Sequence, residues 1–177
     1  MLEKSDSWVL LELFFKKPLH SFHLRELCRA LKWSPTKVRS NINILKKKKL
    51  ITETKEKNLS IFRSNIGNGE FKKFKTVYNI LKAFEIAEVI EKNLEDFEAV
   101  ILFGSARKGE DTENSDFDIC VVGAKEKDID FKDKERELNR RISPLFIESF
   151  EKLRKKNREL LNNLINGFVI KGYAKVF

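Results

Sequence analysis

Two short apolar runs, Ala99-Val100-Ile101-Leu102-Phe103 and Ile119-Cys120-Val121-Val122, enclose a largely polar stretch. No other feature limits the chain as much. Runs of this length, rich in branched residues and bounded by turn signals, read as buried strands. The first stops at Gly104-Ser105, and the next ten residues lead to Asp116-Phe117-Asp118. The order is therefore strand, glycine turn, polar loop, acidic pair, strand.

Each part of this order suits the handling of a nucleoside triphosphate. Gly104 lets the backbone approach a phosphate with no Cβ in the way, and Ser105 adds a hydroxyl beside the amides of a helical turn. Strand side chains alternate, so Asp116 and Asp118 share a face and Phe117 takes the other. Two carboxylates beside a phosphate cradle make a hard oxygen site suited to Mg²⁺. A surface turn with an incidental acidic cluster is the competing reading of the same residues.

Gly104, Ser105, Gly109, Ser115, Asp116 and Asp118 resemble, residue for residue, the signature of the polymerase-beta-type nucleotidyltransferase superfamily, specifically its minimal nucleotidyltransferases. The resemblance extends from about residue 75 to the end. It implies an α/β, mixed-sheet fold and transfer of a nucleoside monophosphate from ATP or another NTP to a hydroxyl, with Mg²⁺ or Mn²⁺ as cofactor. Asp116 and Asp118 would be the metal ligands and catalytic carboxylates. Gly104, Ser105, Arg107, Lys108, Gly109 and Ser115 would bind the nucleotide. Such proteins often act as antitoxins on a HEPN-type toxin, so the resemblance implies a protein acceptor. Lys108 stands where the family usually has arginine, with Arg107 one residue earlier. A third carboxylate is expected on a later strand, here Ile142 to Glu148, and the aligned position is Leu145. Glu148 is the only acid in that strand and the remaining catalytic candidate, although strand parity places it on the opposite face from Leu145.

The charge of the chain is unevenly distributed. Residues 1–66 hold 15 Lys and Arg against 6 Asp and Glu, which is the whole net charge of +9, and the remaining residues are neutral. Confinement of the excess to one third of the chain points to a polyanion partner there. In that third, Trp8 to Phe15 reads as a first helix, Phe22 to Leu31 as a second, and Ser34-Pro35 as the cap and first position of a third running to about Lys48. Val38, Ile42 and Leu45 form its apolar stripe and leave Thr36, Ser40, Asn43 and Lys47 on the other side, with Lys37 and Arg39 flanking. Leu50 to Thr54 and Leu59 to Arg63 read as a hairpin around Lys55 to Asn58.

Residues 7 to about 65 thus resemble the winged helix-turn-helix of many prokaryotic regulators. The resemblance implies a smaller, mainly helical domain that binds double-stranded DNA. Thr36, Ser40 and Asn43 would then touch base edges, and Lys37, Lys47, Lys55, Lys57 and Arg63 would meet phosphates. Two other readings stand beside it: the lysines at 46–49 as a solvated helix end, and the fold as a protein-docking module. Winged helices commonly dimerise on palindromic DNA, which admits a homodimer, although no segment reads as a clear dimer helix.

The glycine-containing stretch 66–70 marks the boundary between domains at 1–66 and 67–177, the second including a long helix at 71–94. The apolar side of that helix is expected at Phe74, Val77, Ile80, Leu81, Phe84, Ala87 and Val89. A helix at 133–141, the strand at 142–148, a helix at 149–166 and a strand near 168–170 follow, with helices mainly on one side of the sheet. No stretch approaches a membrane span and the N-terminus lacks a signal core, so a cytoplasmic location is expected. Cys28 and Cys120 read as buried reduced thiols, and His20 and His23 have no zinc-like spacing to partners. The function expected is a nucleotidyltransferase tethered to a DNA-binding winged helix. The alternative is a DNA-binding regulator or antitoxin whose second domain binds nucleotide without chemistry.

Overall fold

The computed structural model describes residues 5–57 and 59–175. Residues 1–4, part of the stretch read for a signal, Asn58 of the expected hairpin turn, and residues 176–177 lie outside the described residues. The chain divides into two compact units, Met1–Lys75 and Thr76–Phe177. No helix among the described residues is long and apolar enough to cross a membrane.

The first unit opens with α1 (Asp6–Lys16), capped by the Ser5 hydroxyl, which accepts from the Trp8 amide at 3.3 Å. Its Leu10, Leu11, Phe14 and Phe15 are buried. The short strand β1 (Phe22–His23) leads into α2 (Leu24–Leu31), and α3 (Pro35–Lys47) follows. Ser34 caps α3 by accepting from the Lys37 amide, and Pro35 takes the first helical position, where its missing N–H costs nothing. Val38, Ile42 and Leu45 are buried, as their spacing requires, and so is Asn41. The Asn41 amide donates to the Lys37 carbonyl, and its Oδ1 accepts from the Ser7 hydroxyl of α1, both at 2.9 Å.

Strands β2 (Ile51–Glu56) and β3 (Leu59–Ser64) pair antiparallel from Ile51↔Ser64 to Glu56↔Leu59. Strand β1 lines the other edge of β3, with Phe22 opposite Phe62. The sequence reading places Phe22 in the second helix, and the structure corrects this. Its ring packs 4.8 Å from Phe14 and takes a place in the sheet, while the helical period of Leu24, Leu27 and Leu31 starts only after it.

Helix α4 (Gly69–Asn93) runs through the division at Lys75, and its second half packs within the second unit. There follow β4 (Ala99–Leu102), the short α5 (Gly104–Lys108), β5 (Phe117–Val122), α6 (Lys132–Leu138), β6 (Ile142–Ile147), α7 (Phe150–Lys156), α8 (Arg158–Ile165) and β7 (Phe168–Gly172). The sheet order is β6-β5-β4-β7. Strands β5 and β6 are parallel, and β4 is antiparallel to both β5 and β7. This is a mixed α/β unit.

Strand parity divides its core into two layers. Val100, Leu102, Phe117, Ile119 and Val121 face Ala83, Ile86, Ala87 and Ile90 of α4 and Leu138 of α6. Ala99, Ile101, Cys120 and Val122 face Phe150 and Leu153 of α7 and Leu161 and Leu164 of α8. Helices therefore cover both faces, where the sequence reading expects them mainly on one. The helix expected at 149–166 is two helices, both packed on the second face. Asn157 is extended and its side chain accepts from the Leu160 amide at 3.0 Å, so α8 starts afresh. The sheet-facing side of α4 agrees with expectation at Ile80, Ala87 and Val89, which pack with the core, and differs elsewhere. Alanines at 83 and 87 let the helix approach closely, whereas Phe74, Val77, Leu81 and Phe84 stay exposed.

Candidate functional site

Strand β4 ends at Leu102, opposite Ile119, and the Phe103 amide still donates to the Asp118 carbonyl at 3.2 Å. The chain then turns sharply. Gly104 has φ of +69°, which most L-residues avoid. A Cβ at this position would fall onto the Asp118 carboxylate, 3.2 Å from its Cγ. Asp118 thus occupies space that exists only because residue 104 is glycine. Ser105 begins the turn of α5, and Gly109 ends it in the left-handed conformation, its amide donating back to the Ala106 and Ser105 carbonyls.

Asp116 and Asp118 lie two residues apart at the start of β5, Asp116 exposed and Asp118 half-buried. Burial pushes the Asp118 carboxyl above the usual aspartate range, and the neighbouring Asp116 charge adds to the shift. No side-chain hydrogen bond or ion pair satisfies either carboxylate among the described residues. Two like-charged oxygen donors, close enough to repel and lacking a protein cation, fit a divalent ion held by carboxylates together with substrate phosphate and water. Among the described residues no third His, Cys, Asp or Glu completes a metal cluster with them.

The structure takes Glu148 away from this pair. In the parallel register Asp118 stands opposite Ser143 and Val122 opposite Ile147, so Glu148 lies beyond the far end of β5, roughly 16 Å along the strand at ~3.3 Å per residue. Its exposed carboxylate pairs with Lys152 one helical turn on, which lowers its pKa. Leu145 sits opposite Cys120 and packs with the α7–α8 cluster. The side chain of β6 that lies beside Asp118 is Ser143, a hydroxyl.

The expected nucleotide-binding residues separate in a similar way. Lys108 is exposed at the end of α5 and has no partner among the described residues. Arg107 is half-buried, with its guanidinium carbon 5.2 Å from the Phe168 ring, over the strand two places from β5. The Ser115 hydroxyl accepts from the Thr112 amide at 3.0 Å, and the Ser115 amide donates to the Thr112 carbonyl. That hydroxyl folds the loop presenting Asp116.

A buried polar group behind the loop has no counterpart in the sequence reading. Asp111 and Arg140 form an ion pair whose side chains are fully buried. The Asn79 amide of α4 donates at 2.8 Å to both Asp111 Oδ1 and the Ala106 carbonyl of α5. Helix α5 and the root of the acidic loop are therefore tied to α4 through one side chain. Removing one partner of such a buried pair typically costs about 3–5 kcal/mol, because the other charge is left uncompensated. Cys120 lies on the Asp118 face but is inert, its thiol pushed up to about 12 by burial.

In the first unit Thr36, Ser40, Asn43 and Lys47 are exposed on α3, as are Lys55 and Lys57 on the hairpin. Lys37 is less free than expected. Its Nζ meets Asp6 at 2.8 Å and lies 4.3 Å from the Trp33 ring centre. Arg63 is spent within the first unit: Nε donates to Ser21, one terminal nitrogen to Thr54 and the other to Glu56, at 2.8, 2.8 and 3.1 Å. Arg39, at the flank of α3, is exposed and has no partner among the described residues.

The raised pKa of Asp118 has a thermodynamic sign. A carboxyl whose folded pKa lies above its unfolded value contributes stability at low pH and loses it as pH rises through the folded pKa. In metal-free buffer at neutral pH, Asp118→Asn is therefore expected to melt above the wild type. The gap should close as pH falls through the folded pKa of Asp118, which lies above the ordinary value of 3.8. Mn²⁺ should raise the melting temperature of the wild type only. A wild type that melts as high as Asp118→Asn without metal would show that the carboxylate is not in this strained setting.

No curated protein and no solved structure matches the chain. Residues 85–172, which contain the whole four-stranded sheet with α5 and the Asp116–Asp118 pair, match the family model described as polymerase beta, nucleotidyltransferase, and the second unit is thus similar to a nucleotidyltransferase domain.

Proposed function

We propose that the second unit binds an NTP with a divalent cation at Gly104–Ser105 and Asp116–Asp118 and transfers its nucleoside monophosphate to an acceptor hydroxyl. The observation that carries this reading is the Asp118 carboxylate lodged against Gly104, next to Asp116 and without a protein cation. Mg²⁺ held there would neutralise the developing charge on the triphosphate. The residues of the chain do the rest. Gly104 leaves the room that the Asp118 carboxylate occupies, Ser105 offers a hydroxyl, and Lys108 brings a free ammonium from the end of α5. In the transfer the acceptor oxygen forms a bond to the α-phosphorus, the bond to the bridging oxygen breaks, and pyrophosphate leaves. The hydroxyl proton passes to water, because β6 offers Ser143 and Leu145 where a carboxylate base would stand.

That last feature favours a second reading, a domain that binds the metal–nucleotide complex without turning it over. The two separate in one assay. With α-labelled ATP and Mg²⁺, the first reading expects label on the chain, on DNA or on a co-expressed protein acceptor such as a HEPN-type toxin. Asp116→Ala with Asp118→Ala should lower transfer by about 100-fold or more. Nucleotide binding without label on any acceptor would leave only the second reading.

For the first unit the proposal is a winged helix that binds double-stranded DNA with α3 in the major groove and the β2–β3 hairpin on the backbone. It is supported by the +9 confined to residues 1–66 and by the exposed row Thr36, Ser40, Asn43 and Lys47. Log affinity for duplex DNA should fall with log salt by about 0.9 for each phosphate contacted. Lys47→Ala and Lys57→Ala should each make the slope shallower by about 1. Arg63→Ala should leave it unchanged, since that guanidinium is engaged by Ser21, Thr54 and Glu56. Affinity independent of salt would rule DNA out.

A further inference from the structure

Helix α4 is 25 residues long and carries two apolar sides. One, formed by Ala83, Ile86, Ala87 and Ile90, is buried on the sheet. The other is Val77, Leu81 and Phe84, with exposures of 48, 44 and 49 %, while Phe74 one turn earlier packs edge-on against the Trp8 ring at 6.3 Å. At ~100° per residue these three fall within an arc of about 60°, a continuous stripe spaced three and four apart. A contiguous apolar stripe that the protein leaves in water marks an interaction surface.

The ends of the stripe indicate what fits it. Lys73 lies at one end and Glu88 at the other, both exposed and neither with a partner among the described residues. A partner surface of one charge sign would satisfy one end and repel the other. A parallel second copy would set Lys73 against Lys73 and Glu88 against Glu88. An antiparallel second copy, with the two-fold axis between Ile80 and Leu81, sets Val77 opposite Phe84, and Lys73 opposite Glu88, twice over. Glu91, which would come near Glu70 of the second copy, is neutralised by Lys171 of its own chain. The pairing also opposes the two helix dipoles. An isologous interface of this kind closes on itself and gives a dimer.

We propose that the protein is a homodimer held by antiparallel pairing of α4 through Val77, Leu81 and Phe84, with Lys73 and Glu88 setting direction and register. The stripe carries this inference whatever the second unit binds.

The test is sedimentation equilibrium of the full chain, with circular dichroism to show that each variant is folded. The wild type is expected at twice the monomer mass. Leu81→Glu should raise the dissociation constant by about 30-fold or more, as for a central apolar contact. Lys73→Glu alone and Glu88→Lys alone should each weaken the dimer by about 3- to 10-fold through like-charge contact, and the double exchange should restore it to within about 2-fold. A wild type that is monomeric at about 0.1 mM overturns the proposal. So does a dimer that folded Leu81→Glu leaves intact. If the double exchange is as weak as the sum of its parts, the antiparallel register is wrong.

Discussion

The carboxylate of Asp118 fills the volume that a side chain at residue 104 would need, and the organisation of the second unit follows from that approach. It requires β4 and β5 to be paired so that Leu102 meets Ile119 and the Phe103 amide reaches the Asp118 carbonyl. It requires the chain to leave β4 with a positive φ, which makes the next turn the short α5. It also places a half-buried carboxylate beside a second one, an arrangement that burial and charge both oppose. The fold tolerates this because the surroundings are held firmly. Asn79, Asp111 and Arg140 tie α5 and the loop to the body of the unit, and Ser115 closes the loop in front of Asp116. Stability has been given up at one point and recovered around it, as is common where charges are kept for a ligand.

What that pair can do depends on the neighbouring strand. A carboxylate opposite Asp118 or Cys120 on β6 would complete a three-acid site, and the chain has Ser143 and Leu145 there. Leu145 takes part in the apolar layer under α7 and α8, so that position is packed as core. The described residues of β6 beside the pair therefore offer it a hydroxyl and an apolar side chain, and no third acid. The apolar layer next to Asp118 also gives the carboxylate pair one dry side, which strengthens electrostatic interactions within it.

Much of this was legible in the sequence where a residue's role depends on its near neighbours. The turn at Gly104-Ser105 and the placement of Asp116 and Asp118 at the start of β5 follow from the sequence because strand, turn and alternation are local rules. The α3 stripe of Val38, Ile42 and Leu45, with its cap at Ser34-Pro35, is equally local. Roles set by long-range partners were not legible. Asp111 looks like any acid in a polar loop until Arg140, 29 residues on, is found buried against it. Arg63 looks like a free cation until Ser21 meets it across the sheet. Glu148 was the only acid in its strand, yet the register of β5 with β6 carries it to the wrong end. In α4 both apolar sides follow the same period, so periodicity alone does not tell which one meets the sheet. The small Ala83 and Ala87 were the available signal.

The proposed function of the second unit rests on Gly104 leaving room for Asp118 to hold a metal–nucleotide complex. Calorimetric binding of Mn²⁺ with a non-hydrolysable ATP analogue to the wild type and to folded Gly104→Ala tests it most directly. Nucleotide binding is expected to require the metal and to weaken by about 10- to 100-fold when the added Cβ displaces the carboxylate. Equal affinity in the two proteins, or binding that ignores the metal, would contradict it.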